Sequence, residues 1–197
     1  MNEVVFDIKK FSYVTGDEID VSFIPMMLRR KLNKFGRAGL YTLYGAYEGG
    51  SPNLIFSSCY GDFERVVKLI NQREGDGEVS PAGFSSSVHN ATVGLFSLLE
   101  GIKNGYNSIS AGEKSVAAGF LESILAGESL FCYAESFGGI KSVSVLTSVN
   151  NKGKFLLCEN SENLPVNDGF EDLTAFLEGK NDTFVSDLYV VKKNEDL

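Results

Sequence analysis

Apolar residues along this chain fall into two rhythms. Short unbroken or alternating runs read as strands. Val4, Val5, Phe6 and Ile8 form the first, Leu54, Ile55, Phe56 and Ser57 a fully buried one, and Ser108 to Ala111 a short one. Leu130 to Tyr133 form another buried strand, and Val143 to Ser148 and Lys154 to Cys158 alternate. Asn150 to Gly153 then predicts a hairpin turn joining the last two. Phe184 to Val191 predicts one final strand.

The helical rhythm fills the gaps. Pro25 suits a first helical turn, and Met27, Leu28, Leu32 and Phe35 follow at helical spacing, continued by Leu40, Leu43 and Tyr44. Gly36 and Gly39 make a short helix plus a longer one as good a reading as one helix. Asp62 caps a helix with Phe63, Val66, Val67 and Ile70 on one face. His89 and Asn90 precede a helix carrying Leu95, Leu98, Leu99 and Ile102, ended by Gly105. From Gly112, with Glu113 in its first turn, a strongly amphipathic helix bears Val116, Phe120 and Ile124 on one ridge. Ala117, Leu121 and Leu125 lie on the next ridge, Gly127 stops the helix, and Phe170 to Leu177 is the last helix. Strand, tight turn and helix in this order predict an α/β layered domain, with residues 1–197 forming one domain.

Composition narrows the partners. The net charge is -8, which argues against nucleic acid and anionic membrane. No apolar run approaches the roughly 20 residues of a membrane span. The N-terminus lacks the basic-then-apolar layout of a signal peptide, so the cytoplasm is expected. Acids outnumber bases twelve to six from Glu128 onward. Against that, the segment between Val21 and Tyr47 has no acid but carries Arg29, Arg30, Lys31, Lys34 and Arg37. That island is a solvated helix face or a dock for an acidic partner or phosphate. Cys59, Cys132 and Cys158 are far apart, read as reduced thiols, and have no metal-ligand spacing. No metal or cofactor is expected.

The stretch from Ser80 to Ser123 is dense in glycine, serine and alanine and holds the only histidine. Such a stretch lets elements cross closely or subunits meet. Its turn from Ser110 to Ser115 joins a strand to a helix, the setting in which exposed nucleophiles are held near backbone N–H groups. Gly112 stands at the apex, so the architecture is there and the nucleophile is missing. His89 is either a hydrogen-bonded core or interface residue or a base beside the serines at 85–87, but no carboxylate is placed by sequence to orient it.

Ser80-Pro81, Phe84-Ser85, the Ser87-Val88-His89-Asn90-Ala91 run and Gly94, with the unit from Gly105 to Ser123, resemble the N-terminal half of β-ketoacyl synthases. The segments Pro25 to Leu32 and Ser57 to Arg65 add to the likeness, which covers roughly residues 20 to 135. The nearest type is the short chain length factor that accompanies a true synthase in fatty acid or polyketide-type clusters, aryl polyene clusters among them. The resemblance implies a thiolase-like half domain, layered α-β-α with a mixed sheet. It also implies a cysteine nucleophile at the position of Gly112, and two histidines in a second half that this chain has no residues to supply. The expectation is a subunit that is no enzyme by itself and pairs with an active ketoacyl-acyl carrier protein synthase, or with itself. Phe84, His89, Asn90, Gly94, Phe96, Gly112 and Phe120 are its interface or acyl-channel candidates. Arg29, Arg30 and Lys34 are candidates for contact with the acyl carrier protein. The competing expectation is a small acyltransferase or thioesterase using Cys59 or a serine near His89.

Overall fold

A computed structural model describes residues 3–194. Eight strands form one mixed sheet in the order β3-β2-β4-β5-β1-β6-β8-β7. They are β1 (Val4–Thr15), β2 (Asn53–Ser57), β3 (Tyr106–Ile109), β4 (Ser129–Glu135), β5 (Lys141–Val149), β6 (Phe155–Glu159), β7 (Thr183–Val185) and β8 (Tyr189–Lys193). β2 runs parallel to β3 and β4, and the other pairs are antiparallel. The helices are α1 (Met26–Arg29), α2 (Lys34–Ala46), α3 (Phe63–Asp76), α4 (Pro81–Ser85), α5 (Ala91–Glu100), α6 (Ser115–Leu125) and α7 (Phe170–Leu177).

Alternation along the central strands builds two cores. Leu54 and Phe56, with Leu130 and Cys132, meet α2 and α5 through Leu40, Leu43, Val93 and Phe96. Ile55, Phe131 and Tyr133 point the other way, to Val116 and Phe120 of α6 and Leu173 and Phe176 of α7. The result is an α-β-α layering in which β2 and β4 are buried on both faces, as their unbroken apolar runs require. Two helices before residue 47, rather than one, follow from Asn33, whose side chain caps α2 through the Gly36 N–H.

Several expectations are corrected. The hairpin expected between β5 and β6 does not form, because β1 lies between them. Their link crosses the end of β1. There the Asp7 carboxylate accepts from Asn150 Nδ2 and from the Lys154 N–H, at 2.8 and 2.9 Å. Those two bonds, the backbone one first, hold the Asp7 carboxyl below its usual range. The single last strand is two, since Ser186 turns the chain by accepting from the Leu188 and Tyr189 N–H groups. α5 ends at Gly101 (φ 65°), not Gly105. Its packed side is Val93, Phe96 and Ser97, while Leu98 is 80% exposed. β3 stops at Ile109, and Glu113 precedes α6 instead of lying in its first turn.

The C-terminal third closes over α6. Tyr189 donates its hydroxyl to the Ala117 carbonyl at 2.8 Å, and Phe184 meets Phe120 edge-on at 5.6 Å. α6 is thus covered on its sheet side by β2 and β4 and on another side by β7, β8 and α7. β3 ends the sheet at the opposite margin, with its outer edge unpaired by any described strand. α3 is the exception to the packing. Its apolar stripe exists as expected, yet none of its described side chains is buried.

Candidate functional site

The carboxyl ends of the parallel strands β2, β3 and β4 meet at one place, where ligands collect in α/β sheets. The turn from Ser110 to Lys114 leaves β3 and enters α6. Gly112 sits at its apex with φ 58°, and a Cβ built there meets no atom within 4 Å. The left-handed backbone favours glycine, and the space above it is open. The turn is held from below by serines. Ser110 Oγ donates to the Cys59 carbonyl at 3.1 Å. Ser115 Oγ accepts from the Ala111 N–H at 3.0 Å, and the carbonyls of Gly112 and Ser58 share its proton.

The neighbouring turn, Ser58 to Gly61, is organised by a residue that the apolar periodicity passes over. Glu135, 5% exposed, ends β4 and uses both carboxylate oxygens. Oε2 accepts from Ser58 Oγ and from the Cys59 and Tyr60 N–H groups, at 3.0 to 3.2 Å. Oε1 accepts from the Ser136 and Phe137 N–H groups at 2.9 and 3.0 Å. One buried carboxylate therefore ties the turn after β2 to the turn after β4, and through Ser110 and Ser115 supports the Gly112 turn. The only sequence signal for it is a lone acid closing the run from Leu130 to Ala134. On the far side Lys114 bridges Asp168 and Asp187, at 3.1 and 3.2 Å, which raises the pKa of its ammonium and fastens the C-terminal third to the same turn.

His89, Asn90 and Gly94 gather along β3. His89 Nε2 lies 3.0 Å from the Ile109 carbonyl, so Nε2 carries the proton, and the ring stands edge-on to Phe56. That is its one side-chain hydrogen bond among the described residues. Asn90 Nδ2 reaches Tyr106 Oη at 3.5 Å, and Gly94 lies beside the same tyrosine. Asn90 and Gly94 also line a cavity of about 430 Å³, with Leu32, Arg65, Leu95 and Leu98. The other aromatic candidates are dispersed. Phe96 is fully buried between Tyr44 and Tyr47, and Phe120 is fully buried on the opposite side of the sheet. The two rings therefore belong to different cores. Phe84 is 61% exposed and borders a groove of about 400 Å³ between α3 and α4. Arg30 is exposed and Arg29 half-buried, whereas Lys34 is paired with Asp17 at 2.5 Å.

Chemically, the site has the shape of a nucleophile turn without a nucleophile. Cys59 is the nearest thiol. Desolvation first, then the Glu135 carboxylate, pushes its pKa up, the reverse of what a reactive thiolate needs. His89 is committed to a carbonyl, so no nucleophile–base pair is assembled among the described residues. Iodoacetamide at pH 8 is expected to alkylate Cys59 more slowly than a free cysteine, because the raised pKa leaves less of it as thiolate. Labelling as fast as the free amino acid, read by mass spectrometry, would return Cys59 to the list of nucleophiles. Among the described residues no helix is long and apolar enough to cross a membrane, and no group of three His, Cys, Asp or Glu side chains is arranged to hold a metal.

The family described as β-ketoacyl synthase, N-terminal domain, matches residues 9–129, more than half of the chain, and the chain belongs to that family. No curated protein matches its sequence. Among solved structures it is similar to a chain of the ketosynthase ApeO in complex with its chain length factor ApeC, from Xenorhabdus doucetiae. The TM-score is 0.76 at 17% identity, over 96% of this chain and 99% of that one. It is also similar to a chain of AntDE:AntF, a type II PKS acyl-carrier protein in complex with its ketosynthase bound to the hexaketide. There the TM-score is 0.60 at 12% identity, covering 82% and 72%. The ishigamide ketosynthase/chain length factor follows, with a TM-score of 0.53 at 12% identity, covering 81% and 68%. These likenesses show the fold to be that of a thiolase-like ketosynthase half domain.

Proposed function

We propose that this member of the β-ketoacyl synthase N-terminal family is a non-catalytic subunit of the chain length factor type. It pairs with an active ketoacyl synthase in fatty acid or polyketide-type biosynthesis. The observation that carries the reading is Gly112: the turn that would present a nucleophile is fully built, and its apex has no side chain. A fold preserved around an absent reacting group is the expected outcome when the subunit acts by shape. The ApeO–ApeC likeness supports it, since that complex contains a chain of about this length and fold.

The remaining surfaces are consistent with pairing. The C-terminal third already covers α6, so a partner is left the β3 edge and the α3 to α5 side. An acyl chain coming from a synthase there would meet the cavity beside Asn90 and Gly94, whose walls would set its length. Arg29 and Arg30, on the acid-free segment, are the cations offered to an acidic carrier protein. Lys34 contributes less because Asp17 neutralises it.

Native mass spectrometry of the chain, alone and co-expressed with the ketoacyl synthase encoded nearest to it, tests the reading. The expected result is a one-to-one complex that condenses acyl thioesters, while this chain alone does not. In the same complex, Arg29→Glu with Arg30→Glu is expected to weaken carrier-protein binding several-fold. Condensation by the isolated chain would overturn the non-catalytic role, and unchanged carrier binding would remove the basic contact.

A further inference from the structure

We infer that Tyr60, Phe63 and Phe137 are the anchor by which this chain holds its synthase partner, an inference that rests on the pairing proposed above. The three rings pack against one another, with centroids 4.7 to 6.3 Å apart, yet remain 54%, 38% and 53% exposed. Aromatic side chains left half in water and already fixed in place are what interface hot spots consist of.

Their fixation is visible in the backbone. The N–H of Tyr60 is bound by one oxygen of Glu135 and that of Phe137 by the other. Phe63 opens α3, whose first turn is capped by Asp62. Asp62, 5% exposed, is itself held by Asn33 at 2.7 Å and by Arg65 at 2.7 Å. The rings thus stand on three hydrogen-bonded supports from β2, β4 and α3. Little conformational freedom remains for binding to remove.

The patch does not stop at the rings. Val66, Val67 and Ile70 continue it along α3, and Val66, Ile70 and Phe84 border the α3–α4 groove. Val88 and Leu98 add exposed apolar surface beside Arg65 of α3, around the neighbouring cavity, and extended apolar surface of this kind is what a subunit interface buries. A helix of 14 residues with no buried described side chain is otherwise unaccounted for. The position is apt, because Cys59 and Tyr60 adjoin the Gly112 turn. A synthase seated here lies over the end of the sheet where an acyl chain would cross.

The test uses the full chain and the ketoacyl synthase encoded nearest to it, with affinity measured by interferometry and mass by native spectrometry. The double variant Tyr60→Ser, Phe137→Ser is expected to bind at least 100-fold more weakly with an unchanged circular dichroism melt. Ile70→Asp, on the exposed stripe and away from the rings, is expected to weaken binding about 10-fold. If the unaltered chain binds and the double variant binds within threefold of it, the anchor is wrong and the pairing stands. A homodimer of this chain that the double variant splits would assign the patch to a second copy and overturn the synthase as occupant. An unaltered chain that ignores the synthase altogether overturns pairing and anchor together.

Discussion

Glu135→Ala is expected to lower the stability of this chain by about 3 kcal/mol or more, enough to move the melting midpoint down by roughly 6–12 °C for a domain of this size. The carboxylate is almost fully buried and receives four backbone N–H groups and one hydroxyl. Hydrogen bonds to a charged acceptor are worth more than neutral ones, and each donor left dry adds its own desolvation penalty. Alanine orphans all five at once, although water entering the vacated space would recover part of the loss. Glu135→Gln should fall between, because one end of the amide still accepts while its NH₂ faces donors. Urea unfolding followed by fluorescence reads the effect. A loss below 1 kcal/mol would mean that the turns after β2 and β4 hold themselves. In that case the support described for the Gly112 turn and for the aromatic patch would be absent.

The second large effect is expected at Gly119. A Cβ there would lie 2.5 Å from Ser57 Oγ, 2.8 Å from Ser57 Cβ and closer still to the Phe131 ring. α6 rests directly on β2 and β4 at this point, so the neighbours are strand residues with no room to retreat. Gly119→Val forces the helix off the sheet, and overpacking of this kind costs about 3 kcal/mol. Because α6 begins at the Gly112 turn, synthase binding should weaken with it. Gly105 belongs to the same small-residue stretch but has open space around it and no left-handed backbone. Gly105→Ala is therefore expected to leave stability unchanged within about 0.5 kcal/mol, or to raise it slightly by restricting the unfolded chain. Equal losses at the two positions, measured by thermal melts, would refute the close contact at Gly119.

This pair of glycines shows how far local reasoning reaches. In the sequence both belong to one run suited to close approach, of elements within the fold or of subunits. In the structure the smallness of Gly119 serves the packing of α6 against its own sheet. The aromatic candidates divide in the same way. Phe96 and Phe120 match the helical rhythm and are fully buried on opposite sides of the sheet, whereas Phe84 alone reaches the surface. The anchor residues Tyr60 and Phe137 lie in turns, where no periodicity singles them out, and Glu135 is a lone acid at a strand end. What marks these three is the company they keep across 75 or more residues of chain.

By itself the sequence determined the faces. Unbroken apolar runs made β2 and β4 central, the Val116, Phe120 and Ile124 ridge placed α6 on the sheet, and the limits of α7 follow from its pattern. It also put a glycine, Gly112, in the turn between β3 and α6, because that is a matter of residue identity. Tertiary structure alone decided that β1 lies between β5 and β6, that the C-terminal third covers α6, and that the stripe on α3 is left uncovered. The reason is physical. Periodicity records which side of an element avoids water, a property of neighbouring residues. What lies against that side depends on backbone hydrogen bonds that any strand can offer, and on segments far away in the chain.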